Sequence, residues 1–134
     1  MNKQMSQKTI IARPVNINLF KIRLPISALI SITHRISGMY VFFVTLPLSI
    51  FLFRNTSSEL SFSNVSTLLK NNNILSTFVY FSFLVFLYHI MTGFRHLLMD
   101  IHIGENLKAA NASAYAVIGL WLLASLFTFL RFGS

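Results

Sequence analysis

The sequence contains no cysteine. This absence excludes disulfide bonds, thiol nucleophiles and iron–sulfur clusters ligated by this chain, so histidine or carboxylate would have to hold any metal. Charged residues are also scarce, at 10% of 134 residues, whereas hydrophobic residues make up 54%. So little polar surface cannot coat a water-soluble domain of this length. The composition therefore indicates a membrane protein.

Acidic residues are few as well, and the formal net charge is +8. A positive balance of this size is compatible with nucleic acid as a partner. However, five of the basic residues lie in the first 23 positions, without an acidic residue among them. Such a cluster before an apolar segment is typical of a topology signal. We therefore expect the lipid bilayer, and no nucleic acid, as the partner of this charge.

Three long apolar segments predict three transmembrane helices in a single all-α membrane domain, 1–134. Each is long enough for the roughly 20 helical residues that a bilayer core requires, and a helix satisfies its own backbone groups in lipid. The predicted segments are a basic segment 1–23, span one 24–53, an outer connector 54–73, span two 74–98, an inner connector 99–108 and span three 109–131. Pro47 lies inside span one and predicts a kink rather than a break.

The distribution of basic residues predicts the orientation of the chain. Segment 1–23 is basic, and Arg95 and Lys108 flank the second connector. Basic residues favour the cytoplasmic or matrix side of a membrane. We therefore expect the N-terminus and the inner connector on that side, and the C-terminus on the opposite side.

Polar and small residues line one face of each of the first two spans. The set on span one is Ser31, His34, Arg35 and Gly38, and the set on span two is His89, Gly93, His96 and Asp100. An ionisable side chain at the bilayer centre costs roughly 2.5–3.5 kcal/mol, which indicates a partner or a function. Both sets lie toward the same end of their helices, so we expect them to face each other.

Two interpretations of His89 remain open at this point. Its imidazole could hydrogen-bond a neighbouring helix, or it could ligate a haem iron while Gly93 leaves room for the flat porphyrin. In the second case, His34 and Arg35 could pair with the haem propionates, or Arg35 with a quinone carbonyl.

Three further polar residues have simpler interpretations. Arg95 and Asp100 are expected to be an anchor pair at the membrane boundary. His102 is expected to be an exposed loop residue.

Two motifs resemble a known family, the cytochrome b-type membrane anchor subunit of bacterial succinate dehydrogenase, the larger of the two anchor subunits of complex II. The first motif combines RPVN at 13–16, IRLPI at 22–26 and SITHRISG at 31–38, and the second is HIMTGFRHLLMD at 89–100. With three spans in the right order, the resemblance covers nearly the whole chain.

The resemblance implies a role for each matching residue. His89 is implied to be an axial ligand of a haem b iron, whose second axial histidine comes from the smaller anchor subunit. Ser31 and Arg35 match positions that line a ubiquinone pocket. His34 and Arg35 are placed to meet the haem propionates, and His96 is assigned a supporting role near the haem.

The resemblance also implies an assembly and a location. Electrons from succinate oxidation would reach ubiquinone through a flavoprotein subunit and an iron–sulfur subunit, so this chain would hold no complete active site. The expected location is the bacterial cytoplasmic membrane rather than the mitochondrial inner membrane. Alternatives are an anchor of fumarate reductase or formate dehydrogenase, and a non-redox membrane subunit whose histidines and arginines only pack and pair.

Overall fold

A computed structural model describes residues 24–132 as a helical chain. The basic segment 1–23, which contains RPVN and the start of IRLPI, lies outside the described residues. Five α-helices follow in order: α1 Ile26–Tyr40, α2 Leu46–Asn55, α3 Glu59–Asn71, α4 Asn73–Asp100 and α5 Leu107–Phe132. A single π-helical turn, Val41–Thr45, joins α1 to α2 without interruption.

Three of these helical segments are long and apolar enough to cross a membrane. They are Ile26–Asn55, Asn73–Asp100 and Leu107–Arg131, with 30, 28 and 25 residues and mean hydropathies of 2.0, 1.9 and 1.9. A helix rises about 1.5 Å per residue, so each segment exceeds the roughly 30 Å of a hydrocarbon core. The predicted all-α membrane fold with three spans is confirmed.

The π-helical turn lies immediately before the proline of span one. In this turn the Leu46 N–H donates to the Val41 carbonyl, five residues back, instead of four. Pro47 has no N–H to donate, so the regular hydrogen-bond ladder loses one bond at this point. A widened turn accommodates such a defect within a continuous helix, and the helix continues to Asn55.

Helix α3 lies within the connector that the sequence presents as a run of turn-forming residues. Ser58 caps its start, with the Ser58 Oγ accepting from the Ser61 N–H at 3.2 Å. Asn72 caps α4 in the same way, its Oδ1 accepting from the Leu75 N–H at 3.0 Å. Serine and asparagine are turn formers but also favoured helix N-caps. Here they separate two helices rather than form an extended loop.

Little apolar surface is buried between the helices. Among the described residues, only Ile30, Ala110 and Ala114 are buried apolar side chains, and Ala114 is 0% exposed. The small side chains of Ala110 and Ala114 allow α5 to approach its neighbours closely, as in other membrane helix bundles.

Polar contacts join α4 to α5 along their length. The Trp121 indole N–H donates to the Leu84 carbonyl at 3.0 Å, and the Tyr80 hydroxyl donates to the Ser125 carbonyl at 2.9 Å. Such bonds are worth on average about 0.6 kcal/mol each in a membrane. These two bonds fix the register of α5 against α4.

Arg95 also belongs to this set of contacts, and the expectation that it forms a boundary anchor with Asp100 is wrong. Its side chain is 3% exposed. Its Nε donates to the Ser113 Oγ at 3.0 Å, and its Nη2 donates to the Ala110 carbonyl at 2.8 Å. Position 95 lies about 120° around α4 from position 89, on the side that faces α5. Arg95 therefore connects α4 to the first turns of α5.

Candidate functional site

Three histidines from two helices lie together between α1 and α4. The rings of His34 and His89 are stacked, with centroids 4.3 Å apart and planes 3° from parallel. The His96 ring is tilted beside them, 5.0 Å from the His34 ring. The two polar faces therefore meet, and the structure brings together the three histidines that the sequence singled out.

The hydrogen bonds of Ser37 determine which ring nitrogen of His89 carries the proton. The Ser37 Oγ lies 2.7 Å from the His34 carbonyl oxygen and 3.0 Å from the His89 Nδ1. A hydroxyl has one proton, and a carbonyl oxygen can only accept. Ser37 therefore donates to the carbonyl and accepts from the His89 Nδ1–H. In the neutral imidazole, the Nε2 of His89 then carries no proton and its lone pair is available.

Thr92 makes the equivalent contacts with His34. Its Oγ1 donates to the Tyr88 carbonyl at 2.7 Å and lies 2.8 Å from the His34 Nδ1. The single hydroxyl proton of Thr92 is used on the Tyr88 carbonyl, so the Thr92 Oγ1 accepts from the His34 Nδ1–H. In its neutral form, His34 therefore also has an Nε2 without a proton.

A glycine lies beneath each of the stacked rings. A Cβ atom at Gly38 would lie 3.1 Å from the Cε1 of His89, and a Cβ atom at Gly93 would lie 3.2 Å from the Cε1 of His34. Both distances are shorter than normal van der Waals contact. The room that Gly93 leaves is therefore filled in this structure by the His34 ring, and that of Gly38 by the His89 ring.

Sequence reasoning did not single out Ser37 or Thr92 as functional residues. A signal was present, because a histidine is followed after three positions by a hydroxyl residue and then by glycine on both helices. The two copies are His34, Ser37 and Gly38 on α1, and His89, Thr92 and Gly93 on α4. Each hydroxyl serves the histidine of the other helix, which spacing along one chain segment does not reveal.

A pocket of about 570 Å³ opens beside the histidines. Its polar lining is His34, His89, His96 and Asp100, and its apolar lining is Ile90, Gly93, Phe94 and Leu97. The His96 Nε2 is buried and has no hydrogen-bond partner among the described residues. The pocket thus combines apolar walls with imidazole nitrogens that have free hydrogen-bonding or ligating capacity.

Ser31 and Arg35 lie on α1 at the edge of this interface. Consecutive helical residues are about 100° apart around the axis, so Arg35 and His34 leave α1 in different directions. Ser31 is half-buried and Arg35 is exposed. Among residues 24–132, no carboxylate pairs with the Arg35 guanidinium. Arg35 is therefore free to contact a ligand or another subunit beside the pocket.

The donor set fits a haem better than a bare metal ion. Within the described part of the chain, no group of three or more histidine, cysteine, aspartate or glutamate side chains could hold a metal ion. A porphyrin supplies four nitrogen ligands itself, so it needs only an axial side chain from the protein. The free Nε2 of His89, in a pocket with apolar walls, can serve as that ligand.

His102 lies apart from this cluster, in the turn after α4. Its side chain is 83% exposed, and its Nδ1 lies 2.6 Å from Glu105 Oε2. The expectation of an exposed loop residue is confirmed.

The fold and the histidine cluster define an integral membrane protein with three imidazoles grouped between two of its helices. Residues 9–128 match the family described as the succinate dehydrogenase/fumarate reductase transmembrane subunit. The chain belongs to this family, and the resemblance seen in the two motifs is confirmed.

Individual relatives agree with the family. The chain is 38% identical over 113 residues to the succinate dehydrogenase cytochrome b556 subunit of Coxiella burnetii, covering 84% of this chain and 90% of that one. It is 34% identical over 121 residues to the cytochrome b560 subunit of Porphyra purpurea, covering 90% and 97%. It is 32% identical over 120 residues to the b556 subunit of Rickettsia bellii, covering 88% and 89%.

Proposed function

We propose that this chain is the cytochrome b membrane anchor of a succinate dehydrogenase, and that it binds haem b through His89 and ubiquinone beside Ser31 and Arg35. The observation that carries the proposal is the hydrogen bond of the His89 Nδ1–H to Ser37. Metal-ligating histidines commonly donate their second ring N–H in this way. The names of the relatives, which are cytochrome b subunits, support haem b as the group.

Haem b, when bound, supplies a one-electron redox centre. The residues of this chain bind and orient it. His89 would offer its Nε2 to the iron, and the smaller anchor subunit would supply a second histidine. His96, with its unpartnered Nε2, would hold a supporting position beside the haem. His34 and Arg35 would contact the propionates. Because the His34 Nδ1–H donates to Thr92, His34 could donate to a carboxylate only as an imidazolium.

Arg35 and Ser31 act on the quinone. A guanidinium such as that of Arg35 is a cationic group that presents several donors. Negative charge develops on a quinone oxygen as it is reduced, and a fixed cationic donor stabilises that charge. Ser31 lies one helical turn before Arg35, so its hydroxyl can donate to the same quinone oxygen.

The remaining steps of the reaction belong to other subunits. Succinate is oxidised on a flavoprotein subunit, and electrons reach the quinone through an iron–sulfur subunit, because this chain has no cysteine to hold a cluster. Exposed apolar side chains cover the spans, where lipid and the second anchor subunit would pack. We place the complex in the bacterial cytoplasmic membrane, with the histidine end of the spans facing the cytoplasm.

Paired substitutions test the haem assignment in the complex purified with its native partners. H89L should abolish or strongly alter the reduced-minus-oxidised haem absorbance, because leucine cannot ligate iron. H34L removes the stacked ring but should retain the absorbance. An unchanged low-spin spectrum in H89L would contradict the assignment. Loss of haem in H34L alone would transfer the ligand role to His34.

A second candidate function is a non-redox membrane subunit. It is favoured by the fact that both stacked imidazoles already hydrogen-bond across the helix interface. In that case the histidines only pack α1 against α4. The absence of a haem spectrum from the purified wild-type complex would support this candidate and exclude the first.

A further inference from the structure

We propose that Ser37 is a positioning residue for His89, which fixes the protonated nitrogen and the ring plane of that imidazole. Thr92 does the same for His34, so each helix orients the histidine of the other. The role of Ser37 toward the iron rests on the proposed function, since it assumes that His89 is the axial ligand.

Burial makes the Ser37 contact hard to replace. Ser37 is 6% exposed and Thr92 is 0% exposed. Water cannot readily substitute for a buried hydroxyl, and a buried donor without an acceptor destabilises the folded protein. A half-turn of the His89 ring about its Cβ–Cγ bond would replace the Nδ1–H by a carbon at Ser37. The contact therefore selects one ring orientation and keeps the proton on Nδ1.

Two further contacts restrict the tilt of the His89 ring. The His34 ring covers one face at 4.3 Å. Gly38 lies against the Cε1 edge, where even a Cβ atom would be only 3.1 Å away. Together with the hydrogen bond from Nδ1 to Ser37, these contacts restrain one face, one edge and one nitrogen of the His89 imidazole. Only its Nε2 remains for a ligand.

An acceptor on Nδ1–H changes the electronic character of the ligand. It increases the basicity of the imidazole and so strengthens donation from Nε2. Stronger donation favours the ferric over the ferrous state of a bound haem. Removing the acceptor should therefore shift the haem midpoint potential to a more positive value. It should also broaden the distribution of ring orientations.

The experiment compares three variants in the assembled complex by redox titration of the haem absorbance and by low-temperature EPR of the ferric haem. S37A should retain haem, shift its midpoint potential positively and change the low-spin EPR signal. S37T keeps a hydroxyl and should restore the wild-type potential. T92V removes the matching hydroxyl at nearly constant volume. It should shift the potential less than S37A does, because Thr92 bonds the ring of His34 and not that of the proposed ligand.

Each outcome decides a different point. A wild-type potential and EPR signal in S37A, together with haem loss in H89L, would overturn the Ser37 role and leave the proposed function standing. An equal shift in S37T and S37A would also overturn it, since the hydroxyl would then not be responsible. A shift in T92V without one in S37A would overturn the Ser37 role, and haem loss in H34L but not in H89L would also overturn the proposed ligand. If S37A does not assemble, S37C replaces it under the same criteria, because a thiol is a weak acceptor of similar size.

Discussion

Arg35 and His34 are neighbours in sequence, but they face different surroundings. The His34 ring stacks between α1 and α4, whereas the Arg35 side chain is exposed. A guanidinium at membrane depth is costly without a partner, and residues 24–132 supply no carboxylate for it. This cost suggests that its partner is a ligand or another subunit, which agrees with the proposed quinone role.

Substitution of Arg35 should separate quinone reduction from succinate oxidation. R35L removes a fixed charged donor, so succinate-dependent ubiquinone reduction should fall by roughly 10²-fold, the typical effect of losing such a donor. S31A removes a neutral donor and should have a smaller effect. Succinate oxidation by an artificial dye that bypasses the membrane should be nearly unchanged in both. R54L, which removes an exposed arginine at the other end of span one, is the control. Equal losses in the two assays would contradict the pocket role.

The histidine cluster was predictable from the sequence only in part. The spacing of His89 and His96 places both on one face of α4, and the cost of polar groups in lipid predicts that this face meets the face of His34. The roles of Ser37 and Thr92 were not predictable in this way. Serine and threonine in a helix commonly bond a carbonyl of the preceding turn, and both do so here. Their second contact, to a histidine on another helix, depends on tertiary packing.

Helix α5 carries no motif, yet it determines how α4 is held. Arg95 reaches two of its residues, while Trp121 and Tyr80 fix its register farther along. The Nη1 of Arg95 is buried and has no partner among the described residues. An arginine in this setting contributes chiefly through its two bonds to Ser113 and Ala110.

Loss of Arg95 should weaken the contact between α4 and α5. R95M keeps the length of the side chain but removes both bonds, so the free energy of unfolding should fall by about 1–3 kcal/mol, given about 0.6–1.7 kcal/mol per bond in membranes. S113A removes one bond and should cost about 0.6 kcal/mol. Titration of the full-length chain with SDS in mixed micelles measures both. K108M, which replaces an exposed basic side chain by methionine, is the control. An equal effect there would show that Arg95 has no special role.

The helices differ in how well the sequence predicts them. Each of the three spans is specified by the length of an apolar run, which needs no knowledge of neighbours. Helix α3 is not specified by an apolar run, because the residues before it are favoured both in turns and as helix N-caps. The anchor assigned to Arg95 failed for a related reason. The sequence shows Asp100 along the same helix, but it does not show Ser113 across the helix pair.

The predicted orientation of the chain rests on charge alone, and it can be tested cleanly because the chain has no cysteine. K70C in α3 and K108C before span three are matched single-cysteine variants at exposed positions. If basic residues set the topology, a membrane-impermeant maleimide should label K70C in intact spheroplasts and K108C only after permeabilisation. The cysteine-free parent should remain unlabelled. The reverse pattern would place the histidine cluster at the outer face and contradict the proposed arrangement of the complex.

The scarcity of buried apolar side chains affects how the bundle should respond to temperature. Unfolding of a soluble domain raises the heat capacity by about 12–15 cal/mol/K per residue, because apolar surface enters water. Here only Ile30, Ala110 and Ala114 are buried apolar side chains among the described residues, and separated spans would still be solvated by lipid. Dissociation of the helices should therefore show a small heat-capacity increment. Cooling should not destabilise the bundle as it does a soluble protein with a large hydrophobic core.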